Sequence, residues 1–474
     1  MFKIRLLEIV MLLFVLFSLS VLFNNKLGRL RLVQYVPILS VIILIVHLFI
    51  EGVRWQFYPV YFIIILQSVT LVIRLRKGSS FISNKKRKRI VIVYTAISIS
   101  LTAIFSYAFP VNKIPIPTGD NNIGTISFDV IDQKRKERYG GDLSDNRKIK
   151  LQIWYPAEKI DGYEVVPWLE DGRAIAEGVA NMMGFPDFVL RHTSLIKSNS
   201  YSNAPISLFK EQYPVILLSH GWTGFRNIHT DVAELLASNG YIVVGIDHTY
   251  GSAVTVFNDG EVAYVNEDAL PDREETPNFL DYANTLVSTF AGDIFATLAQ
   301  LKELNEGEIH SQFKGKLDLS NIGIIGHSTG GGAAVKTALH DNRIKALIGM
   351  DAWVEPVEEK ELEGGLNIPS LFLRSGEWEQ GFNNENLFLL LNKSRSPVEL
   401  YQINGTHHQD FSMIYMYSPL SKYFSITGKR DGREAATIQH DFILTFFEHH
   451  FNNQENNNVA KQYDDIQNIF SNKN

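Results

Sequence analysis

The stretch 321-NIGIIGHSTGGGAAV-335 places Ser328 between Gly326 and Gly330, with a β-branched run before it and a run of small residues after it. That order reads as strand, tight turn, helix, the setting in which Gly-x-Ser-x-Gly lifts a serine hydroxyl above the end of a sheet. Glycine on both sides leaves room for neighbouring backbone to come close. The triple glycine 330–332 also suits a phosphate-binding loop, but no Gly-Lys-Ser/Thr follows, and the nucleophile reading is preferred.

The same alternation extends outward from this point. The segments 213-YPVILLSHG-221 and 241-YIVVGIDH-248 read as buried strands, and 228-IHTDVAELLASNG-240 between them has helical spacing and a terminal glycine. Upstream, 148-KIKLQIWYP-156 alternates as a strand. Downstream, the pattern recurs around 319-LSNIGIIGHS-328, 344-IKALIGMDAW-353, 368-IPSLFLRSGE-377 and 396-SPVELYQING-405. The chain is therefore expected to be of the α/β class, with a mostly parallel central sheet. Residues 170–198 break the rhythm: Ala174, Ile175, Val179, Met182, Met183, Phe185, Phe188, Val189 and Leu190 predict a helical insertion interrupted at Gly184 and Pro186. Such an insertion either covers the site or packs on the sheet as core.

The first 110 residues have another character. Four apolar stretches, 6–23, 32–50, 57–73 and 90–109, each approach the ~20 residues of a membrane helix. A cleaved signal peptide would account only for the first of them. Glu8 and His47 are the main ionisable groups inside the spans, which gives little support to a translocation pathway. The third connecting loop carries Arg74, Arg76, Lys77 and Lys85 to Arg89, whereas the second offers Arg54 beside Glu51. Basic residues favour the cytoplasmic side, so the third loop, and the first with Lys26, Arg29 and Arg31, are expected there. Everything after Phe109 then lies outside. The position of 85-KKRKR-89 between two apolar spans makes it a topology signal rather than a nucleic-acid patch. Residues 111–119 read as a linker, 120–450 as the catalytic domain, and the asparagine- and charge-rich 451–474 as a disordered tail.

A net charge of −6 over 474 residues says little about partners. The absence of cysteine excludes disulfides, thiol catalysis and cysteine-ligated metal. No internal repeat is evident.

A serine hydroxyl becomes a useful nucleophile when a histidine takes its proton and a carboxylate holds that histidine. In the α/β-hydrolase fold the chain order is serine, acid, histidine. After Ser328, Asp351 is the first acid at a strand end and Glu377 the second; His407 and His408 follow the last strands, and His440, His449 and His450 lie beyond. An oxyanion hole needs two backbone donors, for which Thr329 and, in 219-SHGWTGF-225, Trp222 are candidates. Adjacent histidines on a loop, without a His-x-x-x-His helix, carry little weight as metal ligands. This chemistry calls for no cofactor and no metal.

The blocks 213-YPVILLSHGWTGFRNIHTDVAELLASNGYIVVGIDH-248, 326-GHSTGGGAAV-335, 350-MDAWVEP-356 and 405-GTHHQDF-411 resemble, in order, those of the platelet-activating factor acetylhydrolase family, its plasma and type II enzymes and their bacterial relatives. The resemblance covers roughly residues 120–450 and leaves out the membrane segment. It implies Ser328 as nucleophile, Asp351 as acid and His408 as base, with the amides of Trp222 and Thr329 as the oxyanion donors. Thr329 stands where that family commonly has an aromatic residue, and Glu355 where it often has an apolar one. The expectation is a multi-pass serine esterase of the cell membrane. Its catalytic domain faces outward and cleaves short-acyl lipid or other small hydrophobic esters through an acyl-enzyme, with no nucleic acid as partner. The alternative is a membrane sensor or binding protein with a catalytically silent hydrolase-like domain.

Overall fold

A run of residues such as Val215 to Leu218, apolar at every position, must be covered on both faces, and the sheet provides this. In the computed structural model, which describes residues 5–78, 82, 84–455 and 459–472, the strands are β1 (Asn122–Lys136), β2 (Asn146–Ala157), β3 (Val165–Pro167), β4 (Lys197–Ser202), β5 (Tyr213–Ser219), β6 (Ile242–Asp247), β7 (Val254–Val256), β8 (Val262–Tyr264), β9 (Leu317–His327), β10 (Ile344–Met350), β11 (Ser370–Arg374), β12 (Val398–Ile403) and β13 (Ile466–Ser471). Eleven of them form one sheet in the order β13-β12-β11-β10-β9-β5-β6-β2-β1-β4-β3, and β7 and β8 form a separate hairpin. The six strands from β12 to β6 are mutually parallel. β2 and β13 close this block with antiparallel pairing.

Period-two alternation sorts the side chains onto two cores. Leu217, Ile324, Leu347 and Phe372 face the long helix Phe279–Glu306 and the helix Thr329–His340, while Leu218, Ile325, Ile348 and Leu371 face Thr230–Ser238 and Gly432–Asn452. A third cluster belongs to the insertion. Its helix Gly172–Met182 packs Ile175, Ala176 and Val179 against Phe225, Ile228, Met413, Met416 and Tyr417. Arg226, fully buried, ties this insertion to the sheet through Asp247, Asp171 at 2.6 Å and Glu170 at 3.0 Å.

The amino-terminal region forms helices Leu6–Phe23, Val36–Ile50, Tyr58–Arg76 and Lys85–Ala108, and by length and composition four helices here are able to cross a membrane. Met11, Val15, Leu44, Val60, Ile63 and Ile64 fill the centre of the bundle, while Leu13, Ile42, Ile45, Phe62, Ile65 and Ile104 point outward and exposed. The last helix starts five residues before the apolar run expected from the sequence. Asn84 caps it by accepting from the Lys86 and Arg87 amides, so the basic residues join the helix instead of preceding it. Glu8, the charge inside the first apolar helix, is wholly buried in an ion pair with Arg54 at 2.9 Å, and Arg5 also bonds its carboxylate. His47 lies between Glu51 and the Tyr61 hydroxyl.

The expectation of a disordered tail over 451–474 is corrected for the described residues, 456–458 and 473–474 lying outside them. The helix runs to Asn452, and β13 adds to the exposed edge of β12, with Asn472 accepting from the Val398 amide at 2.7 Å and Phe470 packed beside Phe388. An open edge of β12 presents unpaired backbone donors and acceptors, and a short apolar-polar stretch satisfies them despite its polar surroundings.

Glu234 gives this part of the fold a pH signature. Its buried carboxyl joins the Thr230–Ser238 helix to β4, accepting from the Asn199 amide, the Asn199 side chain and the Ser200 hydroxyl at 2.6 to 2.7 Å. Burial outweighs these donors and pushes the carboxyl from 4.5 up to about 7. A raised carboxyl binds its proton more tightly folded than unfolded. Its contribution to stability is thus complete below about pH 4.5 and lost as the pH rises through 7. The change is on the order of 3 kcal/mol. Chemical denaturation of Glu234→Gln between pH 4.5 and 7.5 is expected to show a flatter stability profile than the wild type.

Candidate active site

β9 ends at His327, and Ser328 follows with φ 54° and ψ −122°, a left-handed conformation that a non-glycine residue adopts only when its surroundings enforce it. The glycines around it explain how. A Cβ on Gly330 would run into the carbonyl oxygens of Ser219 and His220, one on Gly326 into the Gly330 carbonyl, and one on Gly332 into the Trp353 carbonyl. Gly331 has Ala352 Cβ in the same relation, at 2.5 Å. The first turn of helix Thr329–His340 therefore wedges between the ends of β5 and β10 at backbone contact. The Ser328 carbonyl, pointing back, accepts from the amides of Gly331, Gly332 and Trp353.

Across the sheet end, His408 faces this hydroxyl. Its Nε2 is 2.9 Å from Ser328 Oγ and its Nδ1 2.7 Å from Asp351 Oδ2. Asp351 sits directly after β10, itself at φ 43°, and is buried. Ser375, following β11, donates its amide to Asp351 Oδ1 at 2.7 Å and its hydroxyl to Oδ2 at 2.9 Å. These donors fix the carboxylate's plane. The His408 ring lies between Trp378, stacked at 4.8 Å and 10°, and His327 at 4.9 Å and 29°. Burial first, and the neighbouring His408 second, hold His327 well below the ordinary histidine pKa, so a neutral ring faces His408.

Of the acids and histidines weighed from the sequence, Asp351 and His408 come to Ser328, and the others take different places. Glu377 accepts the His408 backbone amide at 2.6 Å and lies 3.4 Å from His407 Nδ1, so it holds the loop rather than the ring. His440 pairs with Asp231, and His449 and His450 lie in the last turn of the helix Gly432–Asn452. Both ring nitrogens of His408 are engaged by Ser328 and Asp351, which leaves none for a paired-histidine metal site. Glu355 forms a bidentate pair with Arg273 at 2.6 and 2.9 Å and accepts from the Trp353 indole. Its charge is thus compensated beside the site.

Trp222 lies in the turn after β5, where a Cβ on Gly221 would stand 2.7 Å from Ser328 Cβ. Among the described residues, neither the Trp222 nor the Thr329 main-chain N–H is used in backbone hydrogen bonding between elements. Ser328 and His408 line a cavity of about 220 Å³ closed by Val179, Met182, Phe225 and Tyr417. A second Ser–His–Asp arrangement exists: His248 joins Ser219 at 2.8 Å and Asp293 at 3.0 Å. All three are fully buried, and Asp293 also binds Arg147. That set braces the sheet. Sequence reading missed Ser375, Trp378 and His327 as site residues; only His327 carried a signal, by standing next to Ser328.

Residues 110–470 match the model of the family described as platelet-activating factor acetylhydrolase, isoform II. The chain belongs to this family. It is 27% identical to the platelet-activating factor acetylhydrolase of Bos taurus over 368 residues, which are 73% of this chain and 78% of that protein. With the enzyme of the same name from Cavia porcellus it shares 24% over 328 residues, 64% and 72% of the two chains. A ferulic acid esterase from Streptomyces cinnamoneus superimposes with a TM-score of 0.62 at 19% identity, covering 76% of this chain and 99% of that one, and shares the α/β-hydrolase fold. The protein is a serine ester hydrolase of this family.

Gly330→Ala tests the wedge directly. Its methyl group meets backbone that cannot yield, so the variant is expected to have a lower melting temperature and little reaction of Ser328 with an alkyl phosphonate. Unchanged melting and labelling would show that the first turn of the helix has room to spare.

Proposed function

We propose that Ser328, His408 and Asp351 form the catalytic triad of a membrane-anchored esterase that cleaves short-acyl phospholipids or similar small hydrophobic esters. The observation that carries this reading is His408, set between Ser328 Oγ and Asp351 Oδ2 within the wall of an apolar cavity. His408 takes the serine proton as Oγ attacks the ester carbonyl, and Asp351 stabilises the resulting imidazolium. The amides of Trp222 and Thr329 receive the oxyanion, aided by the positive end of the helix that begins at Thr329. His408 then protonates the departing alcohol, and water, deprotonated by the same ring, releases the acyl group from Ser328.

The cavity favours a small acyl group, because about 220 Å³ lies below the roughly 300–1,000 Å³ of pockets that enclose larger ligands. A lipid alcohol is supported by the names of the relatives, among them a fungal probable 1-alkyl-2-acetylglycerophosphocholine esterase, 25% identical over 176 residues, which are 36% of this chain and 40% of that protein. The apolar bundle supports a bilayer as the source of substrate. Lys88 reaches the Phe23 carbonyl at one end of the bundle, so the basic first turns of the helix Lys85–Ala108 lie beside the end of Leu6–Phe23 there. At the opposite end, the Trp55 indole donates to Val189 of the insertion at 3.1 Å. By the positive-inside rule, the catalytic domain then faces outward.

Three outcomes follow. With purified protein and p-nitrophenyl esters, Ser328→Ala is expected to abolish turnover. Asp351→Asn is expected to lower kcat by about 10³- to 10⁴-fold, whereas Glu377→Gln should cost less than about tenfold, since Glu377 touches the loop and not the ring. Equal losses in the two acid variants would contradict the assignment. Because the chain lacks cysteine, an Ile116→Cys variant should react with an impermeant maleimide on intact cells, and Lys77→Cys only after permeabilisation. The reverse pattern would turn the topology over.

A further inference from the structure

A second cavity, of about 510 Å³, lies where the last bundle helix meets the catalytic domain. One side is formed by Ser106 and Tyr107 from the end of the helix Lys85–Ala108, the other by Ser418, Lys422, Thr427 and Arg433. Ser418 Oγ donates to the Ala108 carbonyl at 2.6 Å and Asn112 Nδ2 to the Met416 carbonyl at 2.9 Å, so the two sides are fastened together rather than merely adjacent.

Ser106 is 3% exposed, and its hydroxyl has no hydrogen-bond partner among the described residues. Arg433 donates to the Lys113 carbonyl at 3.2 Å and lies 5.9 Å over the Tyr415 ring, and Lys422 lies 5.3 Å over Tyr423. Neither cation pairs with a carboxylate among the described residues. The cavity's acidic residue, Asp431, is turned to the helix it caps, accepting from the Arg433 and Glu434 amides, and Arg430 is occupied by Glu434 and Asp465. Two cations and an orphaned hydroxyl are the complement of a phosphate.

The surroundings say which phosphate. Tyr423 and Phe424, 70% and 73% exposed, project beside Lys422, a combination suited to the headgroup layer of a membrane. From Tyr107 at the rim of the cavity, the exposed ridge of the helix continues down through Ile104 and Leu101, both apolar. A phosphate seated between Lys422 and Arg433 would let acyl chains run down that face. We propose that this cavity is a binding site for an anionic phospholipid, separate from the catalytic pocket. The proposal rests on the reading of Lys85–Ala108 as a membrane span. It has a consequence for catalysis: residues 412–427 form the wall of both cavities, with Ser412, Ile414, Tyr417 and Ile426 turned to the catalytic side. A lipid in the second site would back the wall of the first.

The test uses the full chain in nanodiscs, with Ser328 blocked by an alkyl phosphonate so that the catalytic pocket takes no lipid. Native mass spectrometry then reads lipid retained per protein against phosphatidylglycerol, phosphatidylcholine and inorganic phosphate. One phosphatidylglycerol should be retained at least tenfold more tightly than phosphatidylcholine. Lys422→Gln with Arg433→Gln should remove that preference, and Ser106→Ala should weaken it a few-fold, at unchanged melting temperature. Equal retention of the two lipids, retention of the preference in the double variant, or inorganic phosphate binding as tightly as phosphatidylglycerol would overturn the proposal. A protein that does not stay in the nanodisc would instead refute the span itself.

Discussion

The backbone contact between the first turn of helix Thr329–His340 and the ends of β5 and β10 is the constraint on which the rest of the site depends. Three consecutive glycines allow it, and any side chain there would push the helix outward by the width of a methyl group. The helix, held that close, forces Ser328 into its left-handed conformation, turns its carbonyl toward the amides of Gly331, Gly332 and Trp353, and sets Ser328 against Gly221 in the turn after β5. Only then do the distances to His408 and Asp351 carry meaning. Glycine-rich sequence costs helix propensity, on the order of 1 kcal/mol at each interior position, and the packing of a long parallel sheet on two cores offsets it.

Asp351 and the His408 ring are held by a different device. Asp351 follows β10 and His408 follows β12, with β11 between them, and loops alone would let the two drift. Ser375 pins the carboxylate with two donors, Glu377 anchors the His408 amide, and Trp378 and His327 confine the ring from both faces. The segment 375–378 thus serves both members of the pair. Positioning of this kind matters because a reacting group displaced by about 1 Å loses much of its advantage. On the other flank, the insertion and the segment 412–427 close the cavity and at the same time rest on the bundle through Trp55, Ala108 and Phe109, which joins the pocket wall to the amino-terminal helices.

How much of this was legible depended on whether a signal was local. The elbow, the parallel strands and the apolar helices are written in short windows, and the structure places elements at each. β1, β3 and β4 escaped because their strand character comes from pairing: the second half of β1 is polar and is held by its register with β2. β13 was mistaken for disorder because its composition is that of a tail, while the edge of β12 that orders it lies more than sixty residues earlier. Asp351 and Glu377 could not be separated by spacing, since both follow strands that end at the same edge of the sheet; family resemblance favoured Asp351, and the geometry brings that residue to the ring. The buried pairing of Glu8 with Arg54 was likewise out of reach, because Glu8 lies in the first helix and Arg54 in the connection after Val36–Ile50.

The most direct measurement of the central claim is the mass of the enzyme caught during turnover. Rapid acid quench of the purified protein mixed with a short-acyl ester, followed by intact mass and peptide mapping, should reveal an acyl adduct on the peptide containing Ser328, forming faster than it decays. Hydrolysis that proceeds with no adduct on that peptide, or with the acyl group on another residue, would contradict the account.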